Sequence, residues 1–272
     1  MPDSYFTPIS PPSASSEQTP GVSRFRAGPS TVGPWAPNLQ HGGPPNALAV
    51  ALAEKAVFDA TGRTDLIALR LSADFIGAVP VAEIEVRARV LRSARSAALA
   101  EVVIAAAGRD CLHARVWFVR GSDTAELTAS LPDPIEVPDV PAGLDSDFGY
   151  GASLEWRFVR GGMSVPGPGA AWVRPTMPLA DGLELSGLAR VVLVADSASG
   201  ISAELDWTRW SFVNVDLDVH LARPFEGDWI LMDATTQLGA YGSALARSTL
   251  SDVRGVVGSG LQTLVLAPIP TG

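Results

Sequence analysis

The sequence predicts an α+β protein in which two helices are each wrapped by a curved antiparallel sheet. Three observations predict it: each half of the chain has one long apolar helical segment, each helix is followed by strand-like segments, and the two sets recur at a constant spacing. A helix with an apolar stripe and a sheet with one apolar face can bury each other. Two such units in one chain indicate an internal duplication.

The first half begins with a short strand predicted over 22–27 and a loop rich in glycine and proline. A helix is predicted over 46–59, where leucine, valine and alanine dominate. Pro44 and Pro45 suit its first turn, which does not need the N–H groups that proline lacks. Apolar residues then alternate with arginine and other polar residues in four predicted strands, over 65–76, 81–92, 97–107 and 111–120.

The second half repeats this order, with one predicted helix over 183–198. The dipeptides Val79-Pro80 and Arg223-Pro224 follow corresponding strands and lie 144 residues apart. We therefore expect an N-terminal unit over 21–120 and a C-terminal unit over 151–268. The strands of the second half are predicted over 154–159, 170–175, 212–221, 228–236, 241–250 and 255–266.

Two segments lack the patterning of either unit. Residues 1–20 are rich in proline, serine and threonine and are predicted to be a flexible tail, with Tyr5 and Phe6 as the residues able to anchor it. Residues 121–150 combine acidic residues with four prolines after Leu131, which predicts a linker.

Composition excludes several classes of function. The formal net charge is −9, which argues against nucleic acid and anionic membrane surfaces as partners. No apolar run approaches the roughly 18 residues of a membrane-spanning helix, so no membrane insertion is expected. The single cysteine and three scattered histidines predict neither a disulfide framework nor a metal site. The N-terminal residues do not look like a signal peptide, and a cytoplasmic location is expected.

Three motifs add to the duplicated pattern. Trp35 and the run His41-Gly42-Gly43-Pro44-Pro45 precede the first helix, the segment NVDLDVHLARPFEGDW begins at Asn214, and DVRG at 252–255 is followed by GLQTL at 260–264. Over nearly all of 21–268, this combination resembles the acyl-CoA thioesterase II family in its actinobacterial form. The resemblance implies a double hotdog fold, a cofactor-free hydrolase of fatty acyl-CoA and a place in fatty acid metabolism.

The resemblance also implies a catalytic set. Family members use an Asp, a Ser or Thr, and a Gln, which match Asp196, Asn214 and Gln262 by order and spacing. Asn214 departs from the hydroxyl residue of the best-known members, although an amide keeps both donor and acceptor capacity. In this interpretation Asp196 activates a water molecule that the two amides hold.

The first half is expected to bind substrate. Gly42 and Gly43 would let a carbonyl approach free N–H groups at a helix N-terminus, and His41 lies beside them as a loop residue rather than a catalytic base. Arg223, with Arg174 and Arg209, is a candidate for contacting the phosphates of CoA. We therefore expect oxyanion donors from the first half and the base from the second.

Alternative interpretations remain. Asp216, Asp218 and His220 share one strand face with Asn214, and such parity indicates solvent exposure rather than a metal site or a cleft, unless the strand is twisted or bulged at its start. Enoyl-CoA hydration is another activity of hotdog proteins, but the spacing of Asp216 and His220 does not fit its Asp–His pair. A protein that binds acyl-CoA or lipid without catalysis is the other rival. Exposed sheet edges predict a homo-oligomer, a dimer or higher.

Overall fold

The computed structural model describes residues 4–9, 21–139, 148–163 and 165–269. Over these residues, thirteen strands form one continuous sheet that curves around the helices α1 (Gly43–Thr61) and α3 (Gly187–Ala195), and the fold is the predicted double hotdog. Two short helices, α2 (Gly149–Ala152) and α4 (Ala198–Ile201), accompany them. The strands are β1 (Phe6–Pro8), β2 (Val22–Ala27), β3 (Leu66–Phe75), β4 (Glu83–Ser93), β5 (Ala97–Ala106), β6 (Arg109–Arg120), β7 (Leu154–Gly162), β8 (Val165–Pro175), β9 (Trp210–Asn214), β10 (Asp216–Leu221), β11 (Ile230–Leu238), β12 (Ser243–Asp252) and β13 (Gly255–Pro268).

The two halves join through one pair of central strands. The strand order is β1-β2-β4-β5-β6-β3-β10-β13-β12-β11-β8-β7, with β9 paired to β13. Strands β3 and β10 run antiparallel, and Leu217 lies opposite Ala73. Because both residues are buried, the inner face of the sheet continues from one half into the other without a gap.

Helix α1 is buried around most of its circumference over its first eleven residues, as expected for a helix enclosed by a sheet and a second helix. It has Pro44 and Pro45 in its first turn and ends at Gly62, which adopts the left-handed conformation with φ of 63°. The predicted helix over 46–59 is thus confirmed and is slightly longer than expected.

Helix α3 is shorter than the predicted 183–198. Ser186 caps it, because its side chain accepts a hydrogen bond from the N–H group of Ala189. Leu183 instead closes a tight turn with Ala180, so the helix has not begun there. The helix ends at Asp196, and α4 follows as a separate short helix.

The two long helices are antiparallel where they touch. At one end, Gly43 of α1 packs so closely on Leu193 of α3 that a Cβ atom on Gly43 would overlap the Leu193 carbonyl oxygen. At the other end, Glu54 of α1 lies near Ser186, the cap of α3. The glycine therefore permits a helix spacing that any larger residue would prevent.

The segment predicted as a flexible tail includes a strand. Strand β1 pairs with β2, and both Tyr5 and Phe6 are fully buried. The expected anchoring is confirmed, but flexibility is wrong for residues 6–8, because their backbone pairs with β2 and the adjacent rings of Tyr5 and Phe6 are buried. Residues 1–3 and 10–20 lie outside the described residues.

The predicted linker is almost entirely exposed over 121–139, but Tyr150 at its end is buried. Over 121–139 it contains the 3-10 turn Ala125–Leu127. Backbone hydrogen bonds join Gly121 N–H to the Asp65 carbonyl and Ile135 N–H to the Val253 carbonyl. Residues 140–147 lie outside the described part, and the domain boundaries stay predictions. No helix in the described ranges has both the length and the apolar character needed to cross a membrane.

A buried ion pair connects the loop after β10 to the end of β12. Arg223 donates from both terminal nitrogens to Asp252, at 2.6 and 2.7 Å, and the Asp252 side chain has no exposed surface. Asp252 also accepts the N–H groups of Glu226 and Arg254. Burial alone raises the pKa of Asp252, but Arg223 and these N–H groups outweigh it and hold that pKa below its usual value.

The substitution Arg223→Ala should lower the free energy of unfolding by about 3–5 kcal/mol, because it leaves a buried carboxylate without its cation. Urea unfolding followed by tryptophan fluorescence measures this. Arg26→Ala is the matched control, since Arg26 and its partner Glu83 are both exposed, and should change stability by less than about 0.5 kcal/mol. Equal effects of the two substitutions would contradict the interpretation.

Glu54 should make stability depend on pH. Burial raises the pKa of Glu54 to about 7 from 4.5, and a hydrogen bond from Ser186 only partly opposes it. The folded protein therefore holds a proton that the unfolded chain releases above 4.5, and stability falls as pH rises from about 4.5 to 7.

Glu54→Gln should remove this dependence. At pH 8 the variant should be more stable than the parent by about 1–3 kcal/mol, and at pH 4.5 the two should be nearly equal. Unfolding midpoints measured across this range provide the test. Asp59→Asn, a carboxyl-to-amide change at an exposed position of the same helix, should leave the pH profile unchanged; parallel profiles for the parent and Glu54→Gln would rule out the effect.

Candidate active site

A buried carboxylate lies where the two halves meet. Asp196 caps the C-terminus of α3, and its side chain is only 2% exposed. Its Oδ1 accepts hydrogen bonds from Asn214 Nδ2 at 2.9 Å and Gln262 Nε2 at 3.2 Å, and its Oδ2 lies 2.9 Å from His41 Nδ1. The structure therefore brings the three predicted catalytic residues together, and His41 joins them.

Gln262 is held in one orientation. It lies on β13 with 1% of its surface exposed, and its Oε1 accepts the N–H group of Ser199 at 3.2 Å. Its Nε2 donates both to the Asp196 side chain and, at 3.0 Å, to the Asp196 carbonyl. Because Oε1 accepts the N–H group of Ser199 in α4, Nε2 must face the Asp196 carboxylate. The Gln262 amide therefore holds Asp196 in place.

Asn214 reaches Asp196 because its strand is bulged. Asn214 lies opposite Leu264, and Asp218 lies opposite Leu261. Asn214 and Asp218 are four residues apart, whereas their partners on β13 are only three residues apart. The chain therefore has one extra residue, which lies between β9 and β10. A bulge reverses the alternation of faces. Asn214 therefore faces inward, although Asp218, four positions further, lies on the outer face.

His41 is fixed by an aromatic ring. Its imidazole stacks on Tyr150 with centroids 3.7 Å apart and an angle of 8° between the planes. The Tyr150 hydroxyl donates to the Leu193 carbonyl at 2.7 Å and lies 2.8 Å from Ser197 Oγ. Burial raises the pKa of Tyr150 well above its usual value, so the hydroxyl stays a donor. His41 thus contacts the carboxylate and is more than the loop residue we expected.

Tyr150 is the site residue that sequence reasoning missed. It lies in the segment predicted as a linker, and no local pattern distinguishes it from the neighbouring Phe148. Its position follows from helix α2, which packs beside the turn that precedes Gly33. Only a tertiary contact could have identified it.

The two predicted glycines lie at the start of α1. A Cβ atom on Gly42 would lie 2.7 and 2.9 Å from the Asp196 carboxylate oxygens and 2.5 Å from the Phe75 ring. The Gly43 N–H group points to His41 Nδ1 at 3.1 Å. Because Pro44 and Pro45 carry no N–H, the donors that this helix end can offer a ligand belong to the glycines, and His41 Nδ1 accepts the one from Gly43.

The predicted phosphate contacts are not brought to the site. Arg223 binds Asp252, as described above, and Arg174 pairs with Glu155 and lies over the Trp229 ring. Arg223 is therefore corrected from a substrate-binding to a structural residue, because its guanidinium is already occupied. Arg209 is also absent from the described lining of the cavity beside Asp196.

The alternative pair on β10 does not face the carboxylate. Asp216 accepts a hydrogen bond from the backbone N–H of Thr263. His220 is exposed beside Arg70 on the outer face of the sheet. Asp216 and His220 therefore lack the shared cleft that an acid–base pair would need.

A cavity of about 270 Å³ opens beside the carboxylate. One end is polar and the other is apolar, so the cavity suits a ligand with a reactive polar head and an apolar tail. The polar end is formed by His41, Gly42, Asp196, Ser199 and Asn214. The apolar part is formed by Trp35, Leu39, Phe75, Val79, Trp207, Phe212, Val213 and Val215.

Comparison with known proteins matches both halves to one family. Residues 31–119 match the acyl-CoA thioesterase N-terminal domain, and residues 129–266 match the acyl-CoA thioesterase C-terminal domain. The two matches together include every residue of the site around Asp196. No curated protein shows significant similarity to the chain.

Solved structures share the fold over nearly the full length of both chains. A candidate thioesterase from Novosphingobium aromaticivorans is 24% identical, with a TM-score of 0.67, and the match covers 92% of this chain and 96% of that chain. The acyl-CoA thioesterase II TesB2 from Mycobacterium marinum is 16% identical, with a TM-score of 0.67 and coverage of 94% and 95%. A hot dog fold protein from Alicyclobacillus acidocaldarius is 16% identical, with a TM-score of 0.70 and coverage of 94% and 96%. At these identities the likeness concerns the fold alone.

Gly42→Ala should disturb the site and the packing around it. The added methyl group meets the Asp196 carboxylate and the Phe75 ring, so unfolding should become easier by about 1–3 kcal/mol. Denaturant unfolding measures the loss. Gly77→Ala is the control, because it lines the same cavity and its added Cβ has only an ordinary contact at 3.9 Å. A Gly42→Ala protein as stable as Gly77→Ala would contradict the predicted overlap.

Proposed function

Because the chain belongs to the acyl-CoA thioesterase family, we propose that it hydrolyses a fatty acyl-CoA to the free acid and CoA. The observation that carries the proposal is the buried Asp196 carboxylate, which closes an amphipathic cavity and faces the N-terminus of α1. Carboxylates in such a position serve as general bases for water.

Asp196 is the proposed base. Hydrogen bonds from Asn214 and Gln262 fix Asp196 Oδ1, so the carboxylate cannot rotate away from the cavity. Gln262 acts as a positioning residue, because its amide is fully used on the Asp196 and Ser199 groups. Asn214 donates to Asp196 and to the Asp216 carbonyl, which leaves its side-chain oxygen to hold the attacking water.

The N-terminus of α1 is the proposed oxyanion site. A thioester oxygen that accepts the Gly42 and Gly43 N–H groups would also face the positive end of the helix dipole. It would displace His41 Nδ1 from Gly43, and that nitrogen could then donate to Asp196 Oδ2, its other close neighbour. His41 in this scheme orients the base.

The reaction balances without another reagent. Water gives a proton to Asp196 as its oxygen bonds to the thioester carbon, and the C–S bond then breaks as the carbonyl re-forms. Asp196 returns the proton to the leaving CoA sulfur, which yields the acid and the free thiol. A homo-oligomeric assembly and a cytoplasmic location stay predictions.

Asp196→Asn should lower kcat by about 10²–10⁴-fold, because an amide cannot accept the proton from water. Release of free thiol from a panel of acyl-CoA esters, detected with a chromogenic disulfide, measures the rate. Asp218→Asn is the matched control, since Asp218 pairs with Arg70 at the surface, and it should hydrolyse at the parental rate. Unchanged hydrolysis by a folded Asp196→Asn protein would overturn the assignment.

The same panel separates the rival functions. If the parent protein binds acyl-CoA and releases no thiol, it is a binding protein and the proposal fails. If it consumes enoyl-CoA without releasing thiol, hydration is the activity.

A further inference from the structure

Three aromatic rings close the apolar end of the cavity. Trp35 and Trp207 stack with centroids 5.3 Å apart and 19° between planes, and Phe212 meets both rings edge-on at 5.0 and 4.5 Å. Trp35 comes from the loop before α1, whereas Trp207 and Phe212 come from the segment after α4. The wall is thus built from both halves.

A second and larger hollow lies behind this wall. Over the described residues it has a volume of about 1390 Å³, and it shares Gly33, Pro34, Trp35 and Trp207 with the cavity beside Asp196. Since Trp35 and Trp207 line both spaces, these two side chains form the partition between the cavity and the groove. Without the rings, the small cavity would continue into the large groove.

The groove suits an alkyl chain better than CoA. Its described lining is largely apolar, with Val32, Met163 and Leu205 among its members. Its charged lining residues are Glu204 and Asp206, which would repel the phosphates of CoA. The CoA portion should therefore extend away from the groove, and the acyl tail should point toward it.

The aromatic wall limits the acyl group. Because Trp35 and Trp207 lie between the cavity beside Asp196 and the larger groove, an acyl chain that fills the cavity meets the stacked rings. We propose, on the basis of the thioesterase function above, that the stacked Trp35–Trp207 pair sets the acyl chain length and favours short acyl groups over long ones.

Packing rather than hydrogen bonding holds the wall. Trp207 Nε1 is buried and has no hydrogen-bond partner among the described residues. Trp35 remains 36% exposed, so removing its ring should cost little packing elsewhere. Truncation of either tryptophan should therefore open the partition and leave Asp196, Asn214 and Gln262 in place.

The test compares chain-length profiles. For the parent protein, kcat/KM should be higher for six-carbon than for sixteen-carbon esters, because the stacked rings stop the longer chain. Trp35→Ala and Trp207→Ala should each raise the ratio of kcat/KM for sixteen-carbon to six-carbon esters by at least tenfold. Trp229→Ala is the control, because its ring contacts Arg157 and Arg174 and does not line either space; it should keep the parental ratio.

A merely structural role of the tryptophans would give a different result. Loss of stability would lower the rates for all chain lengths together and leave the ratio unchanged. An unchanged ratio in both tryptophan variants overturns the proposal.

A binding measurement keeps the two proposals distinguishable. Calorimetric titration with S-alkyl-CoA thioethers of six, eight, twelve and sixteen carbons needs no turnover. If the parent lacks hydrolysis but the tryptophan variants gain at least tenfold in affinity for the longest thioether relative to the shortest, the function fails and the partition stands. Identical thioether profiles in all proteins overturn the partition whatever the activity.

Discussion

The close contact of Gly43 with the backbone of Leu193 is the constraint on which the site depends. It lets α1 and α3 pack with almost no side chain between them at this point. Because the helices run in opposite directions, the start of α1 then lies against the end of α3. Gly42 reaches the carboxylate of Asp196 for the same reason, and a side chain at Gly42 would occupy the space of that carboxylate. The curved sheet encloses the pair, so the helices cannot separate to accommodate a larger residue.

The electrostatics of the site follow from this arrangement. The end of α3 carries a partial negative charge, which does not favour a carboxylate at Asp196. The start of α1 carries the opposite charge and faces the same group. Hydrogen bonds from Asn214 and Gln262 add two further donors. A buried carboxylate can be retained only with such compensation, since desolvation of an unpaired charge costs several kcal/mol. The second half supplies the carboxylate and both amides, and the first half supplies the helix end, so neither half alone contains the site.

The periodic parts of the molecule were predictable and the aperiodic parts were not. The helices begin at Gly43 and Gly187, 144 residues apart, as the repeat predicts. Alternating apolar residues located the strands because half-buried antiparallel sheets require that pattern. The same alternation placed Asn214 on the outer face. One extra residue before Asp218 reverses it, and no residue type between them marks a bulge. The stacking of His41 on Tyr150 likewise joins residues 109 positions apart through packing alone.

Duplication produces two ends of the helix pair, yet their chemistry differs. At the end of the helix pair where α3 begins, Ser186 caps α3 and its side chain accepts a hydrogen bond from the Ala189 N–H group. Phe118 and Phe225 line the space beside it. A ligand oxygen would have to displace a built-in cap there. At the other end Gly42 has no side chain to serve as a cap, so Gly43 N–H meets only the His41 ring, which has the Asp196 carboxylate as a second partner. With glycine in place of a serine cap, a ligand oxygen has only to displace His41 from the Gly43 N–H group, and the buried carboxylate lies at that end.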